Sequence, residues 1–369
     1  MVDGGDADRA VRDEYYMDRA LFLAARGRGR TSPNPMVGAL VVTPDGVIVG
    51  QAFHERAGGA HADARALDLA GPRARDATLY CTLEPCSHVG RTGPCVERIA
   101  DAGIVRVVAA TEDPNPLVRG RGFAFLRQRG ISVDVGVCAA DARWQNQSFL
   151  TLLETGRPFV TLKAAVSLDG YLAETPGRRT LLTGEAANRH AHRIRAEVDA
   201  IGVGVGTILV DDPLLTSRSV YRERPLVRAI FDRRLRTPPG ARVLSTADRG
   251  PVMIITSQPA ADLAERRRAL ERHGAEVVVA DGSLRAALEL LGTRGVGSLL
   301  LEGGATLHAA AWEEDVVDLV RLYVAPRRLG EGGVRFLNGR PFSMRNLAAR
   351  RVEALGPDIL VEGYVHGPC

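Results

Sequence analysis

The chain has 369 residues, a net charge of +4 and 45% hydrophobic residues, which is enough for two α/β domains with separate cores. The absence of a signal-peptide pattern at the start, and of any apolar stretch of about 20 residues, predicts a cytoplasmic protein without a membrane partner. Aromatic residues are only 5% and arginines are dispersed, which disfavours nucleic acid as the main partner. The 5 cysteines argue against a disulfide framework, and Cys81 and Cys138 are predicted to be core residues.

The first part of the chain alternates helices and strands after a polar segment, residues 1–12, which is predicted to be a disordered tail. The hydrophobic periods predict helices and strands in an order that indicates a three-layer α/β/α domain. The predicted elements are a helix at 13–26, strands at 37–42 and 47–53, a helix at 62–70, a strand at 77–83, a helix from Cys86 to Ala102, a strand at 105–110, a helix at 123–128 and a strand at 132–137.

Side chains of the types that bind metals lie at the junctions between these predicted elements. His61 precedes a helix, and Cys86 and Cys95 follow the next strand with eight residues between them. One imidazole and two thiolates suit a catalytic zinc, which keeps its fourth position for a water. Asp63, two residues after the histidine, is placed to manage the protons of that water. Chance grouping among 8 histidines and 5 cysteines is the competing interpretation, but a His-x-acid and a Pro-Cys at helix starts are typical of zinc nucleobase deaminases.

Longer motifs resemble the deaminase half of the bifunctional riboflavin-biosynthesis deaminase-reductase family. They are Asn34-Pro35-x-Val37-Gly38, His61-Ala62-Asp63, Thr82-Leu83-Glu84-Pro85-Cys86, Pro94-Cys95 and Asp113-Pro114-Asn115-Pro116. The resemblance implies a cytidine-deaminase-like fold and deamination at C2 of a diaminopyrimidinone ribonucleotide. It also implies substrate contacts from Asn34, His54 and Asn115. Arg91, in the insertion between the cysteines, is either a contact for the substrate phosphate or a solvated surface arginine.

The sequence departs from that family at the catalytic position, where the family carries glutamate and this chain has Asp63. The shorter side chain withdraws the carboxylate, and a misplacement of about 1 Å can cost on the order of a hundredfold in rate. Two alternatives follow: a working deaminase, or a reductase whose deaminase domain keeps zinc only as a structural element. Retention of His61, Cys86 and Cys95 favours the working deaminase.

A linker at 148–158 is predicted to separate the deaminase domain, 13–147, from a second domain at 159–369. A helix is predicted at 144–154, before the linker ends. The second domain again alternates strands and helices. The predicted strands are 160–166, 200–205, 226–231, 252–256, 276–280 and 296–302, and the predicted helices are 186–197 and 308–314.

Two glycine-rich segments of the second domain are candidates for cofactor binding. Gly303-Gly304 lies between a strand and a helix, where bare amides can approach a pyrophosphate. Gly202-x-Gly204-x-Gly206 lacks the spacing of dinucleotide-binding loops, so it is interpreted as a strand that ends in a close-approach loop.

Motifs in this half resemble the reductase half of the same family, which has a dihydrofolate-reductase-like α/β fold. They are Lys163-x-x-x-Ser167-Leu168-Asp169-Gly170, Arg195-Ala196, Gly206-Thr207-x-x-x-Asp211-Asp212-Pro213-x-Leu215-Thr216-x-Arg218 and Leu301-Glu302-Gly303-Gly304. The resemblance implies NADPH-dependent reduction of the ribosylamino group to ribitylamino, catalysed by Lys163 and Glu302, and a homo-oligomer. It implies substrate contacts at Arg195, Leu215 and Arg218, with both arginines on the phosphate. The implied cofactor contacts are Ala165, Leu181, Thr207, Asp211, Gly303, Gly304, Ala305 and Thr306.

This half also departs from the family pattern. Leu181 stands where tryptophan is usual, and Arg179 stands where a small polar residue is usual. Leucine still packs against a nicotinamide but lacks an indole N–H, so the change concerns cofactor affinity rather than reaction type. The segment 232–234, Asp-Arg-Arg, is interpreted either as a contact for the 2′-phosphate of the cofactor or as a solvated basic loop.

The sequence therefore predicts a bifunctional two-domain α/β enzyme that binds Zn²⁺ and NADPH and acts on a small phosphoribosyl pyrimidine. The first alternative is a reductase with a weakened deaminase domain. The second is a nucleic-acid-directed deaminase or binding module. The eight residues between Cys86 and Cys95, where deaminases that edit nucleic acid have two, count against this second alternative.

Overall fold

The computed structural model describes residues 4–87, 93–116, 118–218, 220–257 and 263–366. The chain divides into two compact units after Leu153, which falls within the predicted linker. A five-stranded sheet forms the centre of the first unit and a nine-stranded sheet that of the second. None of the helices in the described ranges is long and apolar enough to span a membrane.

The first unit begins with a long helix and continues as alternating strands and helices. Its elements are α1 (Gly4–Ala24), β1 (Gly38–Val42), β2 (Ile48–Phe53), α2 (Ala62–Ala70), β3 (Thr78–Cys81), α3 (Cys95–Asp101), β4 (Arg106–Ala109), α4 (Arg121–Gln128), β5 (Ser132–Val135) and α5 (Ala139–Gln145), with α6 (Gln147–Thr155) crossing the division. Short 3-10 turns occupy Ala25–Gly27 and Gly71–Ala74.

The strands of the first sheet follow the order β2-β1-β3-β4-β5, antiparallel on both sides of β1 and parallel from β3 to β5. Successive side chains of a strand face opposite sides of the sheet. Leu79 and Val107 therefore pack with α2, α3 and α4, whereas Tyr80 and Val108 pack with α1 and α5. The predicted three-layer α/β/α arrangement is confirmed.

Two predictions near the ends of this unit are wrong. Helix α1 begins at Gly4, so residues 4–12 are helical rather than part of a disordered tail. Extending an existing helix is cheap, and Arg9 ties this turn to Asp134 at 3.0 Å. The helix predicted at 144–154 is two helices, because Asn146 leaves helical geometry and its side chain bonds Met36 N at 2.7 Å and Met36 O at 2.9 Å.

Two predictions about cysteines are also corrected. No helix starts at Cys86; α3 begins at Cys95, because Pro94 cannot continue a helix that arrives from the N-terminal side. Cys138 is only partly buried at the margin of the core, with its sulfur 3.5 Å from Asp18 Oδ1. Cys81 is buried, as predicted.

The second unit contains the remaining elements. They are β6 (Phe159–Ser167), β7 (Tyr171–Ala173), α7 (Glu185–Glu197), β8 (Ala200–Gly204), α8 (Val205–Asp211), β9 (Val227–Phe231), β10 (Val252–Thr256), α9 (Ala264–Arg272), β11 (Ala275–Val279), α10 (Leu284–Thr293), β12 (Ser298–Leu301), α11 (Ala305–Glu313), β13 (Leu319–Ala325), β14 (Val334–Arg335), β15 (Ala348–Leu355) and β16 (Asp358–Tyr364). Further 3-10 segments are Leu244–Arg249, Phe336–Gly339 and Met344–Asn346.

The second sheet has the order β11-β10-β9-β8-β12-β6-β13-β16-β15, with β7 and β14 paired separately. Its strands run parallel from β11 to β13, and β16 and β15 close the sheet in antiparallel pairs. Helices α10 and α11 pack on one face, and α7, α8 and α9 pack on the other. The predicted two-domain α/β fold is confirmed.

The glycine-rich segment after β8 differs from its prediction as a loop. Helix α8 starts directly at Val205, with Gly204 as its N-cap and Gly206 inside its first turn. Val205 and Ile208 are buried, and burial of this apolar face stabilises the short helix. The helix ends at Asp211, and its C-cap Asp212, just before Pro213, has a left-handed φ of 40°.

Candidate active sites

The first site gathers the three predicted metal ligands. His61 is the N-cap of α2, Cys95 is the first residue of α3, and Cys86 lies in the irregular segment after β3. Their ligand atoms all lie within 4.8 Å of one another, and His61 Nδ1 is 3.4 Å from each sulfur. One imidazole nitrogen and two sulfurs form the donor set of a three-ligand zinc site. The chemistry of the donor set therefore fits zinc.

The two thiols differ in their tendency to ionise. The hydrogen bond with Cys95 lowers the pKa of Cys86 to about 4, although burial opposes the shift. The same contact raises the pKa of Cys95, since only one of two neighbouring sulfurs readily carries the charge. A bond with Cys86 raises the pKa of His61. The group thus already favours one thiolate, which is the form that binds metal.

Asp63 lies in the first turn of α2 beside the ligands and is 5% exposed. Its Oδ1 is 3.1 Å from Cys95 Sγ and accepts a hydrogen bond from Ala64 N at 3.0 Å. Burial raises the pKa of this carboxyl group. The Asp63 carboxylate thus reaches the group of candidate ligands in spite of its short side chain. It also accepts a hydrogen bond from the main chain of its own helix.

Two predicted substrate residues, His54 and Asn34, lie on one side of His61. The His54 ring packs edge-on against that of His61, with centroids 5.9 Å apart. His54 Nδ1 is 3.2 Å from the carbonyl of Ala60, which can only accept, so Nε2 is the acceptor for Asn34 Nδ2 at 3.5 Å. Burial lowers the pKa of His54 and keeps the ring neutral.

Of the other two predicted contacts of the deaminase, Asn115 lies within the described residues. Asn115 is half-buried in the loop after β4, where its N–H donates to Asp113 Oδ1 at 2.9 Å. Arg91 lies outside the described residues, so its predicted phosphate contact stays a prediction.

The second site lies where central strands of the larger sheet end. Leu301 of β12 pairs with Leu162 of β6, so the next residues, Glu302 and Lys163, are also neighbours. The Lys163 ammonium is 4.0 Å from Glu302 Oε2 and 5.3 Å from the centre of the Tyr323 ring. Burial lowers the pKa of Lys163. Sequence analysis missed Tyr323, because the strand that carries it has no motif.

Arg195 of α7 completes this group. Its guanidinium donates to both carboxylate oxygens of Glu302, at 2.9 and 2.7 Å, and to Thr216 O at 3.2 Å. Burial alone would raise the pKa of Glu302, but the charges of Arg195 and Lys163 lower it to about 2. The phosphate contact predicted for Arg195 therefore competes with an ion pair that the resemblance did not imply.

The two remaining predicted substrate residues follow α8. Leu215 is buried with a left-handed φ of 52°, and Arg218 is exposed, with its N–H donating to His192 Nδ1 at 3.1 Å. Arg218 is thus open to solvent, whereas Arg195 is paired.

Several predicted cofactor residues meet at the turn between β12 and α11. A Cβ on Gly303, whose φ is 123°, would lie 3.0 Å from Thr207 Oγ1 and 3.5 Å from Gly204 N. Glycine therefore allows this turn to approach the start of α8. Gly304 is the N-cap of α11, followed by buried Ala305 and exposed Thr306. This cradle and helix N-terminus fit the pyrophosphate of a dinucleotide.

A cavity of about 680 Å³ extends from this turn across the ends of β8 to β11. Its lining includes Gly206 and Thr306 together with Arg233, Arg234 and Arg236. Sequence analysis identified the segment 232–234 as a candidate but missed Arg236. The predicted cofactor residues outside this lining are Ala165, Leu181, Thr207, Asp211, Gly303, Gly304 and Ala305. Leu181 is 71% exposed, and burial raises the pKa of Asp211 against the charge of Arg179.

Comparison with known proteins decides the family. Residues 158–361 match the RibD C-terminal domain, and residues 10–111 match the cytidine and deoxycytidylate deaminase zinc-binding region. The riboflavin biosynthesis protein RibD of Aquifex aeolicus is 41% identical, over 95% of this chain and 97% of the relative. The chain belongs to the RibD family. The RibD of Escherichia coli is 40% identical, over 87% of this chain and 89% of the relative.

Solved RibD structures have the same fold. Acinetobacter baumannii RibD superimposes with a TM-score of 0.85 at 36% identity, covering 96% of this chain and 99% of that one. A Thermotoga maritima diaminohydroxyphosphoribosylaminopyrimidine deaminase/5-amino-6-(5-phosphoribosylamino)uracil reductase superimposes with a TM-score of 0.84 at 32% identity, covering 98% and 100%.

The chain is thus a bifunctional enzyme of riboflavin biosynthesis, with a zinc-binding deaminase domain followed by an NADPH-using reductase domain. The predicted function and cofactors are confirmed at this level. Membership of the RibD family over nearly the whole chain favours this function over a nucleic-acid-directed one.

Proposed function

We propose that the first domain hydrolytically deaminates 2,5-diamino-6-(5-phosphoribosylamino)pyrimidin-4-one, and that the second reduces the ribosyl group of the product to ribityl with NADPH. The name of the Thermotoga maritima relative gives this pair of activities. The observation that carries the proposal is the position of the Asp63 carboxylate, 3.1 Å from a sulfur of the ligand group. A buried carboxylate there can hold and move the protons that deamination requires.

At the first site, His61, Cys86 and Cys95 would hold the zinc, which when bound polarises a water for attack. Asp63 takes a proton at its carboxylate and delivers one to the departing amine. His54, neutral, and Asn34 orient the pyrimidine through ring and amide hydrogen-bonding groups. Arg91 is proposed as the contact for the substrate phosphate.

A reductase with a weakened deaminase is the second candidate. The observation in its favour is the bond from Ala64 N to Asp63 Oδ1 at 3.0 Å, which is what a purely structural carboxylate in the first turn of a helix would make. Asp63 Oδ1 makes both this bond and the contact with Cys95 Sγ, so a measurement of deaminase activity distinguishes the two candidates.

Ammonia release in the absence of NADPH tests the first activity. We expect protein with one zinc per chain to release ammonia from the diaminopyrimidinone ribonucleotide, and Asp63→Asn to abolish this without loss of zinc. Asp63→Glu measures the cost of the short side chain, with Asp68→Glu on the exposed side of the same helix as its control. No ammonia from zinc-loaded wild type would refute the deaminase and leave the second candidate.

At the second site, NADPH supplies the hydride when bound. Lys163 would hold a proton toward the nitrogen or oxygen of the opening sugar, and Glu302 would keep the ammonium in place. Of the 48 Lys and Arg residues, Lys163 is the only lysine, so arginine serves at every other cationic position. An amine can give up its proton near neutral pH and a guanidinium cannot, which is a reason to keep lysine at this position.

Lys163→Arg is the sharpest test of that role, because it keeps the charge but replaces the ammonium with a guanidinium, which cannot give up its proton near neutral pH. We expect Lys163→Arg and Lys163→Ala both to lose NADPH consumption with the deaminated substrate, while ammonia release stays at the wild-type rate. Unchanged turnover in Lys163→Arg would mean that only the positive charge matters.

The cofactor contacts are proposed along the turn that joins β12 to α11. Gly303, Gly304 and Ala305 would present main-chain amides to the pyrophosphate at the N-terminus of α11. Thr207, Asp211, Thr306, Ala165 and Leu181 are the further proposed contacts. Arg218, which is exposed, is proposed to bind the substrate phosphate.

A further inference from the structure

Glu84 belongs to the motif that leads into Cys86, yet neither active site uses it. Its side chain is buried, with 4% exposure, and it forms no salt bridge within the described parts of the chain. Within the described residues its side chain accepts four hydrogen bonds, all from main-chain N–H groups: Asp113 at 3.1 Å, Gly120 at 2.9 Å, Gly122 at 2.9 Å and Phe123 at 3.4 Å. The N–H groups of one segment, residues 113–123, thus satisfy the hydrogen-bonding capacity of this buried carboxylate.

Two of these bonds cap α4. Its N-cap is Gly120, which has no side chain to accept the free N–H groups of the first turn. Glu84 accepts from Gly122 and Phe123 instead, so the cap comes from the end of a distant strand. The negative charge is also favourable at the positive end of the helix dipole.

The other two bonds hold the loop before α4. Glu84 Oε2 accepts from Asp113 and Gly120, which lie at the two ends of the segment that contains Asn115. The main chain of Glu84 adds a bond from its own N–H to Thr111 O at 3.0 Å. Both ends of this loop are therefore fixed to one side chain.

Glu84 also precedes Cys86, a candidate metal ligand, by only two residues. A Cβ on Gly122 would lie 2.2 Å from Pro85 O and 3.1 Å from Glu84 Oε1, so glycine lets the start of α4 contact the segment just before Cys86. The position of Cys86 and that of the Asn115 loop are consequently coupled through Glu84.

We propose that Glu84 is a positioning residue of the deaminase, which fixes the loop of Asn115 relative to Cys86. The proposal deepens the proposed function, since it relies on the substrate contact of Asn115. Removing one oxygen acceptor from this carboxylate leaves buried N–H groups unpaired and loosens the loop. Asn115 is a proposed substrate contact and does not touch the reacting atoms. Loosening its loop should therefore raise KM more than it lowers kcat.

Glu84→Gln tests this, with Glu112→Gln as the matched control. Glu112 lies at the start of the same loop and pairs with Arg119 at 2.8 Å, but the two side chains are 40% and 67% exposed, so this ion pair contributes little to holding the loop. In Glu84→Gln we expect a KM for the pyrimidine ribonucleotide raised by about tenfold or more, with zinc content retained. Reductase turnover of the same sample should match wild type, which shows that the protein is folded. Glu112→Gln should match wild type in both reactions.

Hydrogen exchange gives a readout that does not depend on activity. We expect the amides of 113–123 to exchange about tenfold or more faster in Glu84→Gln, with β3 unchanged. If Glu84→Gln cannot be purified, Glu84→Asp, which keeps the charge but withdraws it, should itself raise both KM and the exchange rate above wild type. Unchanged KM and exchange, or a fall in kcat that follows lost zinc, would overturn the proposal. Absence of ammonia release in wild type would refute the proposed deamination instead, and exchange would still decide the role of Glu84.

Discussion

Arg195 donates two parallel hydrogen bonds to Glu302, from Nε to Oε1 at 2.9 Å and from Nη2 to Oε2 at 2.7 Å. Their side chains are only 17% and 11% exposed, and the same carboxylate lies 4.0 Å from the ammonium of Lys163. A guanidinium stays charged at any working pH, whereas an amine does not. Arg195 thus holds the Glu302 carboxylate in place. Lys163 is the member of the group that can give up and regain a proton.

Replacing Arg195 should therefore damage the reductase through Glu302. We expect Arg195→Ala to lower kcat of the reductase on the order of a hundredfold, because the carboxylate is no longer held in place, with a smaller loss in Arg195→Lys. The pKa of Glu302, held at about 2 by its two cationic neighbours, rises when one is removed. Activity that needs ionised Glu302 is lost as pH falls through that pKa, so the acid limb of the pH profile should move to higher pH.

The alternative role of Arg195, a contact for the substrate phosphate, makes a different prediction. It would raise KM for the substrate and leave the acid limb in place. Arg193→Ala is the control, since Arg193 is an exposed arginine on the same helix. A change in KM alone in Arg195→Ala would assign Arg195 to the phosphate.

The second prediction concerns the pKa of Lys163. Burial lowers this pKa from its usual value, with Glu302 opposing the shift and Arg195 adding to it. Because Lys163 is the only lysine, protein grown with ¹³Cε-lysine gives one ε-carbon signal, whose titration by NMR reads the pKa directly. We expect a pKa below about 10.4, the usual value. The rate of a step that needs the ammonium should fall as pH rises through this pKa; a titration at or above the usual value would contradict the burial argument.

Much of the fold follows from local pattern. Helix α2 has its predicted bounds, and the hairpin of β1 and β2 follows from the turn at 44–46, because apolar periodicity and turn residues act over a few positions. The edge strand β15 was not predicted, since six of its eight residues are exposed and it therefore lacks the alternation of apolar and polar residues that indicates a strand, although its partner β16 follows it through a tight turn. Helix α1 was predicted too short because its first turns depend on Asp134, far along the chain.

The candidate sites divide in the same way. The grouping of His61, Cys86 and Cys95 was predictable, since zinc restricts the donor types and the three residues belong to recognisable motifs. The pairing of Arg195 with Glu302 joins a helix and a strand end that are 107 positions apart, and no sequence motif links them. Sequence places Glu84 in a motif, but its role depends on four main-chain N–H partners that lie 29 to 39 positions away in the chain. The residue types of a site can be read from the sequence, whereas the hydrogen-bond partners of those residues are known only from the fold.

The third prediction concerns stability of the deaminase unit. Buried Asp13 accepts from Arg106 at 2.9 and 2.6 Å and from Tyr80 Oη at 2.7 Å, which ties α1 to the sheet. Burial raises the pKa of Asp13, but these bonds together lower it below its usual value. A carboxylate with a lowered folded-state pKa stabilises the protein above its unfolded pKa of about 4, and this contribution is lost as pH falls through the folded value.

Asp13→Asn should therefore lower the free energy of unfolding of this unit by about 3 kcal/mol at neutral pH, as expected when a buried ion pair loses one partner. Hydrogen exchange of the β4 amides measures this. The difference from wild type should shrink as pH falls below about 4 and through the lower folded-state pKa, at which wild-type Asp13 itself becomes protonated. Asp134→Asn is the control: Asp134 also binds Arg106 but is 43% exposed, so we expect less than about 1 kcal/mol. Equal effects of the two variants would contradict the argument.

The last prediction concerns the choice between NADPH and NADH. Arg233, Arg234 and Arg236 are exposed at the rim of the cavity that also contains Thr306. Buried Asp232 orders their turn, because its Oδ2 accepts from the N–H and hydroxyl of Thr237 at 2.7 and 2.8 Å. Guanidinium groups bind phosphate with paired hydrogen bonds, so this rim suits the 2′-phosphate that NADPH has and NADH lacks.

We expect alanine at one or more of the three arginines to lower kcat/KM for NADPH by about tenfold or more, the loss of one charge-assisted contact, and to leave kcat/KM for NADH unchanged. The ratio of the two values isolates the 2′-phosphate from every other cofactor contact. Arg249→Ala serves as the control, since Arg249 is exposed in the same unit but does not line the cavity. A ratio unchanged in all three variants would mean that the segment is a solvated basic loop, and the cofactor preference would then have to come from residues elsewhere in the domain.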